Sequence, residues 1–229
     1  REISPNRPEA NKNDNVVVVA RQLETLIKKL AKNEDIVGFL VELRVIDKLR
    51  LYENSIYAAV LSGLVAGCMG LPTDEIVCAI VGGLLHDIGM AEMPSLLTMK
   101  ELPPQEESLW KEHPTYGYYF ALQKNIPRAI ANCIQHHHEN WDGSGFPKNI
   151  QGEEIPISSR IVRVCSHYSS SVVHKGILPY MAIEELYGAS GIYFDPKVVE
   201  AFVNNIAIYP LGVMVRLSTK EVGIVSNIR

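Results

Sequence analysis

Residues 73–89 read TDEIVCAIVGGLLHDIG. Thr73 is positioned to cap a helix, and Asp74 and Glu75 follow where the positive end of a helix dipole favours carboxylates. The spacing predicts a helix through Leu85 that delivers His86 and Asp87 at its C-terminal end. Upstream, Leu51–Met69 reads as a long core helix whose small residues Ala58, Ala59, Ser62, Gly63, Ala66 and Gly67 let neighbouring helices approach closely. Before it, Val19, Leu23, Leu26, Ile27 and Leu30 give Val16–Lys32 the period of an amphipathic helix, and a second helix is expected over Ile36–Asp47.

Downstream, segments punctuated by glycine and proline predict helices over Gln105–Gln123, Pro127–Glu139, Ser158–Val173, Met181–Tyr187 and Pro196–Ile208. Only the tail changes period. Val213, Val215 and Leu217, then Val222, Ile224 and Val225, flank polar Ser218–Glu221 as in a hairpin. The expected fold is mainly α, a helical bundle with a small C-terminal β hairpin. The expected organisation is an N-terminal helical segment over residues 1–50, the helical domain over 51–209 and the β appendage over 210–229.

With 47% hydrophobic and 21% charged residues, the 229-residue chain has the make-up of one globular core. A net charge of −4 and a pI near 6.0 speak against broad electrostatic binding to DNA. The most apolar runs, Ala58–Met69 and Ile76–Leu85, fall short of the roughly 20 residues that span a bilayer, so no membrane span is expected. The chain opens with Arg1 and stays polar until Val16, so no signal peptide is expected and the chain reads as a fragment. A missing N-terminal domain is therefore a candidate partner. Cys68, Cys78, Cys133 and Cys165 lack zinc-knuckle or redox spacing and read as buried, reduced core thiols, which suits the cytoplasm.

Five of the seven histidines fall between His86 and His138. Histidine with carboxylate is the ligand set of a divalent transition-metal site, and Asp87 beside His86 is a carboxylate that can bridge two ions. Taken alone, the pair reads as a capping aspartate next to a satisfied histidine. His113 before Pro114, and His137-His138-Glu139 leading into the glycine-rich turn Asp142–Pro147, change that reading towards metal binding. Lys148 follows that turn and Arg160 begins the next helix, so both are candidates to meet phosphates. The alternatives are a solvated cation for Lys148 and an ion pair to Asp142 or Glu139 for Arg160.

His86-Asp87-Ile88-Gly89, the run HPTYG from His113 to Gly117 and the run HHENWDGSGFP from His137 to Pro147, followed by Gly152–Pro156 and Arg160-Ile161, resemble in order the HD-GYP branch of the HD phosphohydrolases. The resemblance covers roughly Leu51 to Phe202, and the tail Pro210–Leu217 is similar to the β appendage that often follows such domains. It implies an HD-type bundle with a two- or three-metal centre that hydrolyses cyclic di-GMP to linear pGpG or GMP. It also implies His86, Asp87, His113, His137 and His138 as metal ligands, with His86 and Asp87 the catalytic pair, and it makes a receiver or sensory domain the candidate N-terminal partner.

Against the family pattern, Asn54 stands where an upstream histidine coordinates, Arg50 where three-metal members carry a glutamate, and Ser166 where a late aspartate coordinates. Met90 replaces the lysine that usually follows HDIG, and Phe146 the tyrosine of GYP. One ligand set, Asp87, His113, His137 and His138, is then complete, while the other is reduced to His86 and Asp87. His167 and His136 are the candidate replacements; His174 lies outside every motif. Trp141 and Tyr116 are candidate purine stackers, with packing into the core as the alternative.

The expected function is that of a cyclic di-GMP phosphodiesterase-like signalling module with a degenerate centre, weak or inactive. It would bind one iron, manganese, nickel or zinc ion and cyclic di-GMP or a related cyclic dinucleotide. The alternative is an active metal-dependent hydrolase with a rearranged centre.

Overall fold

The computed structural model describes residues 50–97, 103–206, 214–216, 219–224 and 226. The helices expected over Val16–Lys32 and Ile36–Asp47 lie outside the described residues. Helix α1 (Arg50–Cys68) is followed at once by α2 (Thr73–Leu85), and the two pack along each other. The turn between them closes on Gly70, whose φ of 67° only glycine adopts freely. Leu71 N–H donates to the Ala66 carbonyl and Gly70 N–H to that of Gly67, which satisfies the last carbonyls of α1. Thr73 is not the cap expected of it. Pro72 holds that position with its carbonyl accepting from Glu75 and Ile76, and Thr73 is the first residue inside α2.

Helix α2 is apolar almost all round and is buried by neighbours on several sides, α1, α6 (Arg128–His136) and α7 (Ile157–Ser169). Gly83 permits the approach: a Cβ there would come within 3.1 Å of the Ala58 backbone on α1. After α2 the chain makes a 3₁₀ turn (Ile88–Glu92) and the short α3 (Pro94–Leu97), then α4 (Pro104–Trp110) and α5 (His113–Gln123). The single helix expected over Gln105–Gln123 is thus two helices. Pro114 lacks an N–H and fits only the first turn of a helix, so the chain breaks at Lys111–Glu112 and restarts at His113.

Helix α6 is shorter than expected and ends at His136, and α7 widens at its end into a π turn (Ser170–His174). Helices α8 (Pro179–Gly188) and α9 (Pro196–Asn205) complete the bundle, and Asp195 caps α9 by accepting from Lys197 N–H at 2.8 Å. In the tail, β1 (Met214–Arg216) pairs antiparallel with β2 (Val222–Ile224), Val215 opposite Gly223. One apolar cluster, including Leu85, Ile88, Ile130, Ile134 and Val162, lies between α2, α6 and α7; a second, including Val65, Ile161, Leu186, Phe194 and Phe202, joins α1, α7, α8 and α9. Cys78, Cys133 and Cys165 are buried as expected, and burial pushes the Cys165 thiol up to about 12. Cys68 is the exception, exposed on the last turn of α1; all four thiols are free. Among the described residues, no helix is long and apolar enough to cross a membrane.

Candidate metal centre

Three helices bring the histidines together by ending. His86 follows the last residue of α2, His113 comes three residues after the last residue of α4, and His137 follows the last residue of α6. A helix C-terminus leaves carbonyls without intrahelical donors. Each imidazole answers one of them through Nδ1: His86 to Gly83 at 2.8 Å, His113 to Trp110 at 2.7 Å and His137 to Ile134 at 2.6 Å. In a neutral ring the donor is then Nδ1–H and Nε2 is a lone pair facing inward, whereas at His86 the Asp87 carboxylate favours a proton on Nε2 as well.

The inward atoms meet at Asp87. Its Oδ1 lies 3.3 Å from His113 Nε2 and 3.7 Å from His137 Nε2, while Oδ2 lies 2.9 Å from His86 Nε2. With His138, the residues Asp87, His113 and His137 present one ligand atom each within 4.8 Å of one another, a group that could hold a metal ion. The donor chemistry fits such an ion. Imidazole nitrogen with one carboxylate oxygen is the set that first-row divalent metals take, and the negative ends of helix dipoles favour a cation.

Protonation favours the same use. Burial and the neighbouring imidazoles hold His137 and His138 well below the usual histidine range, so both are neutral and available. Burial works against the charge of Asp87 too, but the charges of His86 and His113 and their hydrogen bonds outweigh it and hold the carboxyl well below its ordinary value. His86 goes the other way. Burial opposes its imidazolium, yet Asp87 and the Gly83 carbonyl raise its pKa above the ordinary value.

His138 is held by rings. It stacks on Phe146 at 4.6 Å and 17°, and the edge of Trp110 meets it at 5.0 Å. The turn that presents Phe146 depends on Gly145, where a Cβ would collide with the backbone of Asn140, Glu139 and His138. Glu139 is buried and accepts Lys148 N–H at 2.6 Å, which ties the far end of the turn to the helix end.

Asn54, on the inner face of α1, reaches the centre: its Nδ2 is 3.5 Å from His86 Nε2, and its buried Oδ1 has no hydrogen-bond partner among the described residues. Ser166 is buried on α7, its hydroxyl 3.5 Å from the Arg163 carbonyl, and one turn later Ser169 donates to the Asn54 carbonyl at 3.4 Å. Met90 is in the core. Neither candidate replacement histidine joins the cluster. His136 Nδ1 faces Glu139 at 3.6 Å, and His167 faces Glu185 at 3.5 Å and the Phe194 ring.

Arg160 pairs with neither Asp142 nor Glu139. Its Nη1 meets buried Asp195 at 2.7 Å and its Nε the Ile155 carbonyl at 2.9 Å, because α7 runs beside the cap of α9. Lys148 has an exposed side chain. Trp141 is half-buried under the Arg160 guanidinium, and Tyr116 is exposed rather than packed in the core. The sequence reading passed over Trp110, Asn140 and Arg163, none of which belongs to a histidine or carboxylate pattern. Arg163 was nevertheless visible as a cation one helical turn before Ser166.

Residues 55–198 match the family model described as HD domain, and the chain belongs to that family. Within it, the chain is of the HD-GYP branch. It is 33% identical over 193 residues to a cyclic di-GMP phosphodiesterase of Pseudomonas aeruginosa, covering 81% of this chain and 46% of that one. To a cyclic di-GMP phosphodiesterase of Thermotoga maritima it is 34% identical over 154 residues, covering 62% and 41%. The chain therefore spans about half the length of the curated relatives it matches. Its fold matches the crystal structure of a cyclic GMP-AMP specific phosphodiesterase of Vibrio cholerae with a TM-score of 0.58 at 21% identity, covering 75% of this chain and 48% of that one.

Proposed function

We propose that this chain is a signalling module that binds one divalent metal ion and cyclic di-GMP or a related cyclic dinucleotide, with hydrolysis weak or absent. The observation that carries the reading is the Asn54 amide 3.5 Å from His86 Nε2, on the side of His86 where an intact member would bring a further ligand. An amide is a poor ligand, and Ser166 offers a hydroxyl in place of a carboxylate. His86 is then satisfied by Asp87 and Gly83 without an ion.

Asp87, His113, His137 and His138 would hold iron, manganese, nickel or zinc, which supplies Lewis acidity to a water or a phosphate oxygen. Asp87 would keep His86 oriented and charged, and this pair is the one left to manage a proton. Of the two proposed phosphate-meeting cations, Lys148 is exposed, whereas Arg160 is already engaged by Asp195. The chain would work in the cytoplasm, with a receiver or sensory domain as a candidate partner.

The four-ligand cluster favours a second reading, an active phosphodiesterase working through a rearranged centre. Metal analysis, cyclic di-GMP titration and a turnover assay on the same manganese-loaded sample separate the two. Binding with one ion and no multiple turnover is expected; sustained turnover that Asp87→Ala abolishes would install the second reading.

A further inference from the structure

Arg163 brings to the centre a positive charge that none of the motifs accounts for. Its Nε and Nη2 both donate to Asn140 Oδ1, at 3.3 and 2.9 Å, and its guanidinium carbon lies 5.2 Å from the centre of the Phe194 ring. A guanidinium has five N–H donors, so three remain. Among the described residues no carboxylate pairs with it, whereas Arg160, one turn earlier on α7, has Asp195 at 2.7 Å. Burial lowers the pKa of Arg163 to about 10, which leaves it fully charged at neutral pH.

The direction of that charge is fixed. Its fork on Asn140 Oδ1 places it where the loop after His137-His138 meets α7, two residues beyond His138, one of the four cluster residues. Asn140 belongs to that loop and is itself held by donating to Ser144 Oγ at 3.0 Å. Enclosing a cation without an anion is costly, and an anion brought to it recovers the cost with charge-assisted hydrogen bonds.

We infer that Arg163 is a phosphate-binding residue of the centre, donating its remaining N–H groups to a non-bridging phosphate oxygen and supplying, beside His138, positive charge of the kind a second metal ion would supply. The inference rests on the reading of the chain as a cyclic-dinucleotide-binding module. It names a phosphodiester as the anion, because a tetrahedral phosphate offers one oxygen to a metal and another to a guanidinium fork.

The test is calorimetric titration of the manganese-loaded full chain with cyclic di-GMP, comparing the parent with Arg163→Met and Arg163→Lys. Arg163→Met should weaken binding by about tenfold or more with manganese content unchanged, and Arg163→Lys should fall between. Parent-like affinity in Arg163→Met would overturn the inference and leave the functional reading standing. If the parent binds no cyclic di-GMP, the functional reading falls, and inorganic phosphate decides the role of Arg163. Manganese-induced broadening of the phosphorus resonance in the parent, lost in Arg163→Met, would uphold it, and broadening equal in both or absent would overturn it. Should Arg163→Met fail to unfold cooperatively, Arg163→Lys decides, a several-fold loss upholding the inference and parent-like affinity overturning it.

Discussion

His113 Nε2 and His137 Nε2 stand 3.3 Å apart, and each ring has already committed its Nδ1–H to a helix-terminal carbonyl. In neutral rings two lone pairs then face one another, with Asp87 Oδ1 3.3 Å from the first and 3.7 Å from the second. Three acceptors at such distances repel unless a proton or a metal ion lies among them, and a metal ion can meet all three at once, which gives the first prediction its physical ground.

Protein produced in metal-sufficient medium should carry about one divalent ion per chain, and a chelator should lower its melting temperature, because an ion that binds only the folded state stabilises it. Asp87→Ala should remove the ion. Elemental analysis of protein purified without an affinity-tag metal checks this; content near zero in the parent would sink it.

Asn54→His with Ser166→Asp should raise the metal content above the parent value, and the pair should do more than either change alone. Asn54 already lies at 3.5 Å from His86 Nε2 and is linked through its carbonyl to α7, so a histidine there starts close to the depleted position. Metal titration of the three variants reads the outcome. Content equal to the parent in a folded double variant would show that these positions do not belong to a second ion.

Cyclic di-GMP hydrolysis by the parent, assayed with excess manganese or iron, should be absent or about 10² to 10³-fold below that of an intact relative, the usual loss when one stabilising group of a transition state is removed. The losses need not multiply, since the centre works as a unit. Nucleotide chromatography over many turnovers is the measurement.

Gly89→Ala should destabilise the fold by about 2 kcal/mol or more and lower metal affinity with it. A Cβ at Gly89 would run into the His113 carbonyl and come within 2.6 Å of Gly117 N, so the 3₁₀ turn and the start of α5 must separate, moving His113 from Asp87. Urea denaturation with and without manganese checks both effects; a variant as stable as the parent would contradict this packing.

Stability should fall as pH drops from about 6.5 to about 4, in part through His167. Burial, Arg163 and Lys175 lower its pKa from 6.5 to about 4 despite the Glu185 carboxylate opposite. In that window the unfolded chain binds a proton the folded one refuses, so the contribution is full above 6.5 and lost as pH falls towards 4. His167→Gln should flatten the slope of denaturation midpoint against pH; an unchanged slope would assign the dependence to other groups.

The helical bundle was legible because apolar periodicity and proline and glycine punctuation are local signals. Helix ends were read less well for the same reason: Pro114 breaks an otherwise continuous pattern, and α6 stops at His136, where the His137 ring meets the Ile134 carbonyl. The cluster of Asp87, His113, His137 and His138 was legible through the family resemblance that the order of the motifs carries. The partner of Arg160 was not, since Asp195 lies 35 positions away and only the packing of α7 against the start of α9 brings them together. Arg163 escaped for a related reason: its importance depends on which carboxylates are missing around it, and a sequence does not list absences in space.

Three histidines of this centre do a second job as the donors that finish α2, α4 and α6. Their replacement would leave helix-end carbonyls bare whether or not any chemistry takes place, so selection for a chain that merely folds is enough to keep them. Asn54 and Ser166 finish no helix, and drift could reach them first. In a lineage losing its catalysis, the conspicuous motif would be the last part to erode, and the record of activity would be written instead at the two inconspicuous positions beside it.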